Sequence, residues 1–329
     1  MMSDRFRSFR AIVRTTFIEA LQEPAALLVL LAAVLVTSAA PLFHFHAFGE
    51  EGRLARDGGL ASLLVFGLAL GCAAAGAAVH RECASGTAAA ALSKPVGRGL
   101  FLTAKYVGIL LVCGVFWVAV TAATLAAEAA ADRTVVVGES WDRLPDVRLR
   151  QWAVLAPLAA LAVAGLLQNR RRARFGVAAF LLIPAALLLT LLASGFWSHA
   201  GAWGPYALRL NLRIIPVALP LFFALAVLAA WSAALAVRLP TGTVLLVGAA
   251  ILGAGLAADT WSAGAPAASL RGVLAGLFPN IQHYWLADAL ARGGTAPGSY
   301  LIRAAGLAAA GSALALRVGV GLFRARDIG

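Results

Sequence analysis

Residues 80–108 read HRECASGTAAAALSKPVGRGLFLTAKYVG and lie between two long apolar runs. The stretch holds Arg81, Glu82, Lys94, Arg98 and Lys105 in a chain that is otherwise mostly uncharged. Gly86 and Thr87 open a helix-forming run over residues 88–92, and Ser93-Lys94-Pro95 ends it. A residue before proline is pushed out of the helical region, and proline cannot continue a helix. Such a helix is on the order of 10 Å long, given its rise per residue. It is too short and too polar-flanked to cross a bilayer. It suits a segment lying flat at a membrane surface, where another protein can push on it. The only two lysines of the chain, Lys94 and Lys105, both fall in this stretch.

Working outward, the flanking runs set the fold class. The chain has 329 residues, 61% of them hydrophobic and 13% charged, with a mean hydropathy of +0.86. Soluble domains carry about 25% charged residues. The composition therefore predicts an all-α polytopic membrane protein with no large soluble domain. The net charge of +12 does not point to nucleic acid, because the basic residues sit in short loops between apolar runs, as the positive-inside rule requires. Three cysteines, Cys72, Cys83 and Cys113, are too few and too scattered for a disulfide framework or a zinc site. They read as packing residues.

Eight spans are predicted: residues 24–43, 60–79, 106–127, 152–167, 175–196, 214–237, 244–258 and 301–323. Gly67, Gly71 and Gly76 in the second are small residues that let helices approach closely. Before the first span, Phe6, Phe9, Val13, Phe17 and Leu21 recur near helical spacing among Arg5, Arg7, Arg10 and Arg14. Residues 1–23 thus read as a cytoplasmic amphipathic interfacial helix, or as a plain basic lead-in that sets topology. The loop QNRRRAR, residues 168–174, is a strong cytoplasmic marker. An even number of spans places both termini in the cytoplasm, with residues 324–329 as a tail. Six tryptophans (Trp141, Trp152, Trp197, Trp203, Trp261, Trp285) fall near the opposite ends of spans and read as an interfacial belt.

The stretch 80–108 resembles the cytoplasmic coupling loop of ABC transporter permeases of the type-2 exporter class. That family shows a Glu, three residues, Gly-Thr, a short helix, a Pro, an Arg and later a Lys before a membrane helix. Here these positions are Glu82, Gly86, Thr87, Pro95, Arg98 and Lys105, with Leu92 in the short helix. A weaker likeness continues before the last span in Pro279, Asn280, Tyr284 and Asp288, within an external segment 260–298 of re-entrant or surface helices. Phe323, Arg324, Arg326 and Asp327 then follow it. The chain departs from the family's common six-span core by an extra hairpin, either spans four and five or spans six and seven. The resemblance implies an elbow helix before the first span and a coupling helix in the loop 80–105. It also implies an ATPase subunit as partner, which brings ATP and magnesium, and a second permease copy or paralogue. The place implied is the cell membrane, with lipid around the spans.

The chemistry of the chain itself is sparse. GAGLAAD, with Gly253 and Gly255, lacks the Lys-Ser/Thr that holds phosphate and magnesium, so no nucleotide site of its own is expected. Span interiors carry almost no ionisable residues, which argues against a proton- or sodium-driven carrier. His44 and His46 have no third ligand nearby, so no metal is expected. No nucleophile elbow or His-Glu-x-x-His pattern is present, and no catalytic residue is assigned. Two other readings remain open at this stage. One is a membrane enzyme at the external face using His199, Asn280, His283 and Asp288. The other is a membrane scaffold without transport.

Overall fold

The computed structural model describes residues 2–43, 49–86, 97–137, 140–144, 146–198, 201–262 and 280–325, with backbone only for residues 2–4, 133–144 and 261–262. Among the described residues the chain is mostly helical, with one short β-hairpin. Helix α1 covers Met2–Gln22 and α2 covers Pro24–Ala39. They are separate because Pro24 holds Glu23 in an extended conformation (φ −68, ψ 120) and then serves as the first residue of α2.

Helix α3, Glu51–Ala75, runs through a π-helical turn, Gly76–His80, into α4, Arg81–Ala84. Helix α5 covers Arg98–Ala130. Strands β1, Arg133–Val137, and β2, Ser140–Leu144, pair antiparallel with Val135 opposite Asp142. Helices α6, Val147–Arg171, α7, Phe175–Ser194, α8, Ile214–Ala236, and α9, Thr241–Ser262, follow. A 3₁₀ turn, Ile281–Tyr284, and the short α10, Ala287–Ala291, precede α11, Gly298–Arg324.

Among the described residues, eight helices are long and apolar enough to cross a membrane, as the sequence predicts. Several are longer than their apolar runs. The second was expected over residues 60–79 and covers Glu51–Ala84, and the third was expected over 106–127 and covers Arg98–Ala130. The fourth, seventh and last lengthen in the same way, to Val147–Arg171, Thr241–Thr260 and Gly298–Arg324, while the first and fifth end at Leu42 and Ser194. Polar residues continue the helices beyond the hydrophobic limit. Arg53 and Asp57, one turn apart, pair at 3.6 Å on what read as a loop. The buried Asp146 accepts the Leu149 N–H at 2.9 Å and starts α6 five residues early. The two long helical units, 34 and 33 residues, are each about 50 Å long, against a hydrocarbon core of about 30 Å. They are therefore longer than a hydrocarbon core requires.

Helices α3, α5 and α8 form the centre of the bundle, and α6 and α11 are its most exposed spans. Glycines of α3 and of the π-helical turn after it set the spacing. A side chain at Gly67 would lie 2.6 Å from Leu225 of α8, and one at Gly76 would lie 2.0 Å from Thr241 of α9. On α11, a Cβ at Gly319 would meet the Ala234 backbone at 2.9 Å. Polar links between helices within the bundle include Trp117 Nε1, which donates to the Ala218 carbonyl at 2.8 Å, the Tyr106 and Ser312 hydroxyls, which meet at 3.2 Å, and Cys72, which lies 3.3 Å from Ser232. All three cysteines are buried and none is in a disulfide.

Candidate functional site

The π-helical turn Gly76–His80 carries α3 into α4, which presents Arg81 and Glu82 at the end of the bundle where α1 packs. The Ser85 N–H donates to the Arg81 carbonyl at 2.9 Å. Gly86 then turns the chain in the left-handed region, at φ +73, with open space where a side chain would stand. That conformation is what a helix needs to end, and only glycine adopts it without cost.

Lys105 lies on the facing side, two turns into α5. Its ammonium donates to Glu82 Oε1 at 2.5 Å and sits 4.0 Å from Glu19 of α1. It also lies 5.6 Å from the Phe101 ring centre. The Lys105 side chain is 3% exposed and that of Glu82 26%. A lysine so deeply buried is costly as a charge unless it is paired. The carboxylates of two other helical segments answer it here. A second bridge reinforces the join, with Arg81 donating to Glu23, at the α1–α2 junction, at 2.7 Å.

Arg98 closes the other side. Its guanidinium lies over Phe323, 5.9 Å from the ring centre, and donates to the Arg324 carbonyl at 3.3 Å. Phe101 stacks on Phe323 with ring centres 5.9 Å apart. Arg238 donates to the Leu322 carbonyl at 3.3 Å. The carbonyl end of α11 is thus held by two cations, which also suits its dipole. We call this end the loop pole. Of the loop residues read from the sequence, Glu82, Gly86, Arg98 and Lys105 come together here. Thr87, Lys94, Leu92 and Pro95, with the expected helix over residues 88–92, lie outside the described residues.

The external-segment residues are at the opposite end, the hairpin pole, and do not approach the loop. Asn280 caps the Ile281–Tyr284 turn, accepting the Gln282 N–H at 3.0 Å, and donates to Asp259 at 2.5 Å. Gln282 donates to the Leu256 carbonyl at 2.8 Å, and the Tyr300 hydroxyl donates to the His283 carbonyl. Tyr284 is 2% exposed, and burial, with the Tyr300 phenol nearby, pushes its own phenol up to about 12. Asp288 begins α10. These residues tie the end of α9 to the start of α11. Pro279, His44, His46 and His199 lie outside the described residues. Among those described, no three His, Cys, Asp or Glu side chains gather as metal ligands would.

Sequence reading missed both carboxylate partners on α1 and at its end, Glu19 and Glu23, and a cluster at the hairpin pole. There Arg56 of α3, its side chain 7% exposed, reaches Glu128 of α5 at 3.4 Å and Asp57 at 3.2 Å. Asn211 donates to the same Glu128 oxygen at 3.0 Å. No local pattern links Arg56 to Glu128, so no sequence signal could pair them. Comparison with known proteins adds no identity: no family model, curated protein or solved structure matches the chain.

Proposed function

We propose that this chain is the membrane-embedded permease subunit of an ABC exporter, driven by a separate ATPase subunit that docks at the loop pole. The observation that supports this most is the buried Lys105, shared between Glu82 at the end of the second span and Glu19 of α1. The pair closes the two ends of the loop that resembles a coupling loop. A push on that loop is delivered to α4 and α5 together, as one lever. Helix α1 acts as the elbow helix at the cytoplasmic surface, fixed to the lever by Lys105 and by the Arg81–Glu23 bridge. The short segment over residues 88–92 is the coupling helix that the ATPase grips. The ATPase supplies nucleotide and magnesium chemistry. A second copy or a paralogue completes the transporter in the cell membrane, with both termini cytoplasmic.

The lever has a reach that fits the role. From Glu82 to Arg56, and from Lys105 to Glu128, the same two helical units run about 35–40 Å, from one ion pair to the other. A nucleotide-driven shift at one pole is thereby a shift at the other, which is what coupling between two sites requires.

The test is purification of the chain from its own host in mild detergent, with identification of what accompanies it. An ATPase with a P-loop, in near-equal amount and lost from a Glu82→Gln, Gly86→Val double variant that still inserts and folds, is the expected result. A chain that purifies alone, or whose ATPase partner is indifferent to these changes, would overturn the proposal.

A further inference from the structure

Helix α11 carries charge where a span is expected to have none. Its apolar run, residues 301–323, holds Arg303 near the start and Arg317 well inside. Arg317 stands two helical turns, about 10 Å, before Arg324, so the two share a face. Here α11 and the start of α5 border a groove of about 530 Å³, with Thr103 on one side and Leu316, Arg317, Val320 and Arg324 on the other. Both arginines are exposed, and α11 is among the least buried spans. Among the described residues no Asp or Glu lines the groove, and neither guanidinium enters an ion pair or hydrogen bond. Arg324 is tied to α5 through its carbonyl, which accepts from Arg98 at 3.3 Å. The Thr103 hydroxyl is occupied, donating to the Gly99 carbonyl at 2.8 Å. The donors that the groove offers are therefore the two guanidinium groups. An ionised side chain inside a span is expensive unless an opposite charge or water answers it. The Cα–Cβ bonds of a helix lean toward its N-terminus, here away from the loop pole. Arg317 reaches water at that pole by bending back along α11.

We infer that this groove binds the headgroup of an anionic phospholipid from the membrane leaflet at the loop pole, with its phosphate oxygens on Arg317 and Arg324 and an acyl chain beside Ala313 and Leu316. Arginine supplies the planar, multi-donor geometry that phosphate oxygens accept. Arg98, over Phe323, and Arg238, on the Leu322 carbonyl, add positive charge at the same end of α11. Two cations without a carboxylate favour a lipid of net negative charge. The amine of a zwitterionic lipid would meet the same cations and find no partner in the groove. A basic pocket between membrane helices is a setting in which anionic headgroups are held. The inference needs the chain to lie in a membrane and does not rest on the coupling reading of the loop pole.

The test is native mass spectrometry of the purified chain in mild detergent, titrated with phosphatidylglycerol or with phosphatidylcholine. Phosphatidylglycerol is expected to bind about tenfold more tightly or better, given the pull of two basic residues, and to raise the melting temperature. The double variant Arg317→Gln, Arg324→Gln should lose that preference. Arg317→Gln alone should weaken it several-fold, while Arg303→Gln, which removes the same charge from the far end of the same helix, should leave it unchanged. Should the variants at 317 fail to fold, Arg324→Gln, at the exposed end of α11, carries the comparison with Arg303→Gln. Equal binding of the two lipids, a preference that survives in the folded double variant, or an equal loss from Arg303→Gln would overturn the inference. So would groove variants that change the oligomeric state and leave lipid binding intact, since a second copy would then be the occupant.

Discussion

At the loop pole, α4 and α5 meet through Glu82 and Lys105 at 2.5 Å; at the hairpin pole, α3 and α5 meet through Arg56 and Glu128 at 3.4 Å. The same two helical units supply both pairs, with the signs exchanged. At the loop pole a single buried cation is enclosed by two carboxylates, an aromatic ring and α1, and the pair joins chain segments. At the hairpin pole six charged side chains stand around a space, and one buried arginine nitrogen is left over. The first arrangement suits force passing through the protein, because it has no slack. The second leaves open space between charges that are largely paired with one another.

The contrast predicts unequal costs when each pair is broken. Glu82→Gln leaves the buried Lys105, among the described carboxylates, with Glu19 at 4.0 Å, and should cost about 3 kcal/mol of stability, in the range for breaking a buried ion pair. Thermal unfolding in detergent would show it, and the double variant Glu82→Gln, Lys105→Met should recover most of the loss. Glu128→Gln is expected to cost less, about 1.5 kcal/mol, because Arg56 keeps Asp57 at 3.2 Å and an amide oxygen still accepts. Equal losses at the two poles would remove the distinction between a closed joint and an open cluster.

Smaller effects sharpen the picture of the hairpin pole. Asp146→Ala removes the side-chain cap of α6 and should cost about 1 kcal/mol, while Asp146→Asn should be nearly neutral. The last effect concerns Tyr284 and shows itself only at high pH. Its phenol ionises at about 12 in the folded protein, against an ordinary value of 10.0. The folded state then holds the proton more tightly than the unfolded state. Its contribution is complete below pH 10 and is lost as pH rises toward 12. Tyr284→Phe should flatten the stability profile in that window, and an unchanged profile would mean that the phenol is not held as described.

Much of the fold is legible in the sequence because spanning a membrane demands long apolar runs, and these stand out against 13% charged residues. The eight spans follow from that. The ends of the spans do not, since Arg53, Arg56 and Asp57 look like a loop until helical pairing makes them a turn of α3. The loop-pole residues Glu82, Gly86, Arg98 and Lys105 stood out through the resemblance to a coupling loop. Their partners were not: Glu23 pairs with an arginine 58 positions away, and Phe323 stacks on Phe101 across most of the chain. Such contacts depend on how helices pack, and no local pattern records them. The Arg56–Glu128 pair was hidden for the same reason.

The most direct test of the two-pole distinction places a photo-crosslinking amino acid at one exposed position on each pole, Ser85 beside Gly86 and Glu50 beside the hairpin-pole space, and illuminates the protein in its host membrane. Crosslinks from position 85 to a P-loop ATPase, with none from position 50, are the predicted result. An ATPase captured from position 50, or none captured from position 85 in a folded and inserted chain, would contradict it.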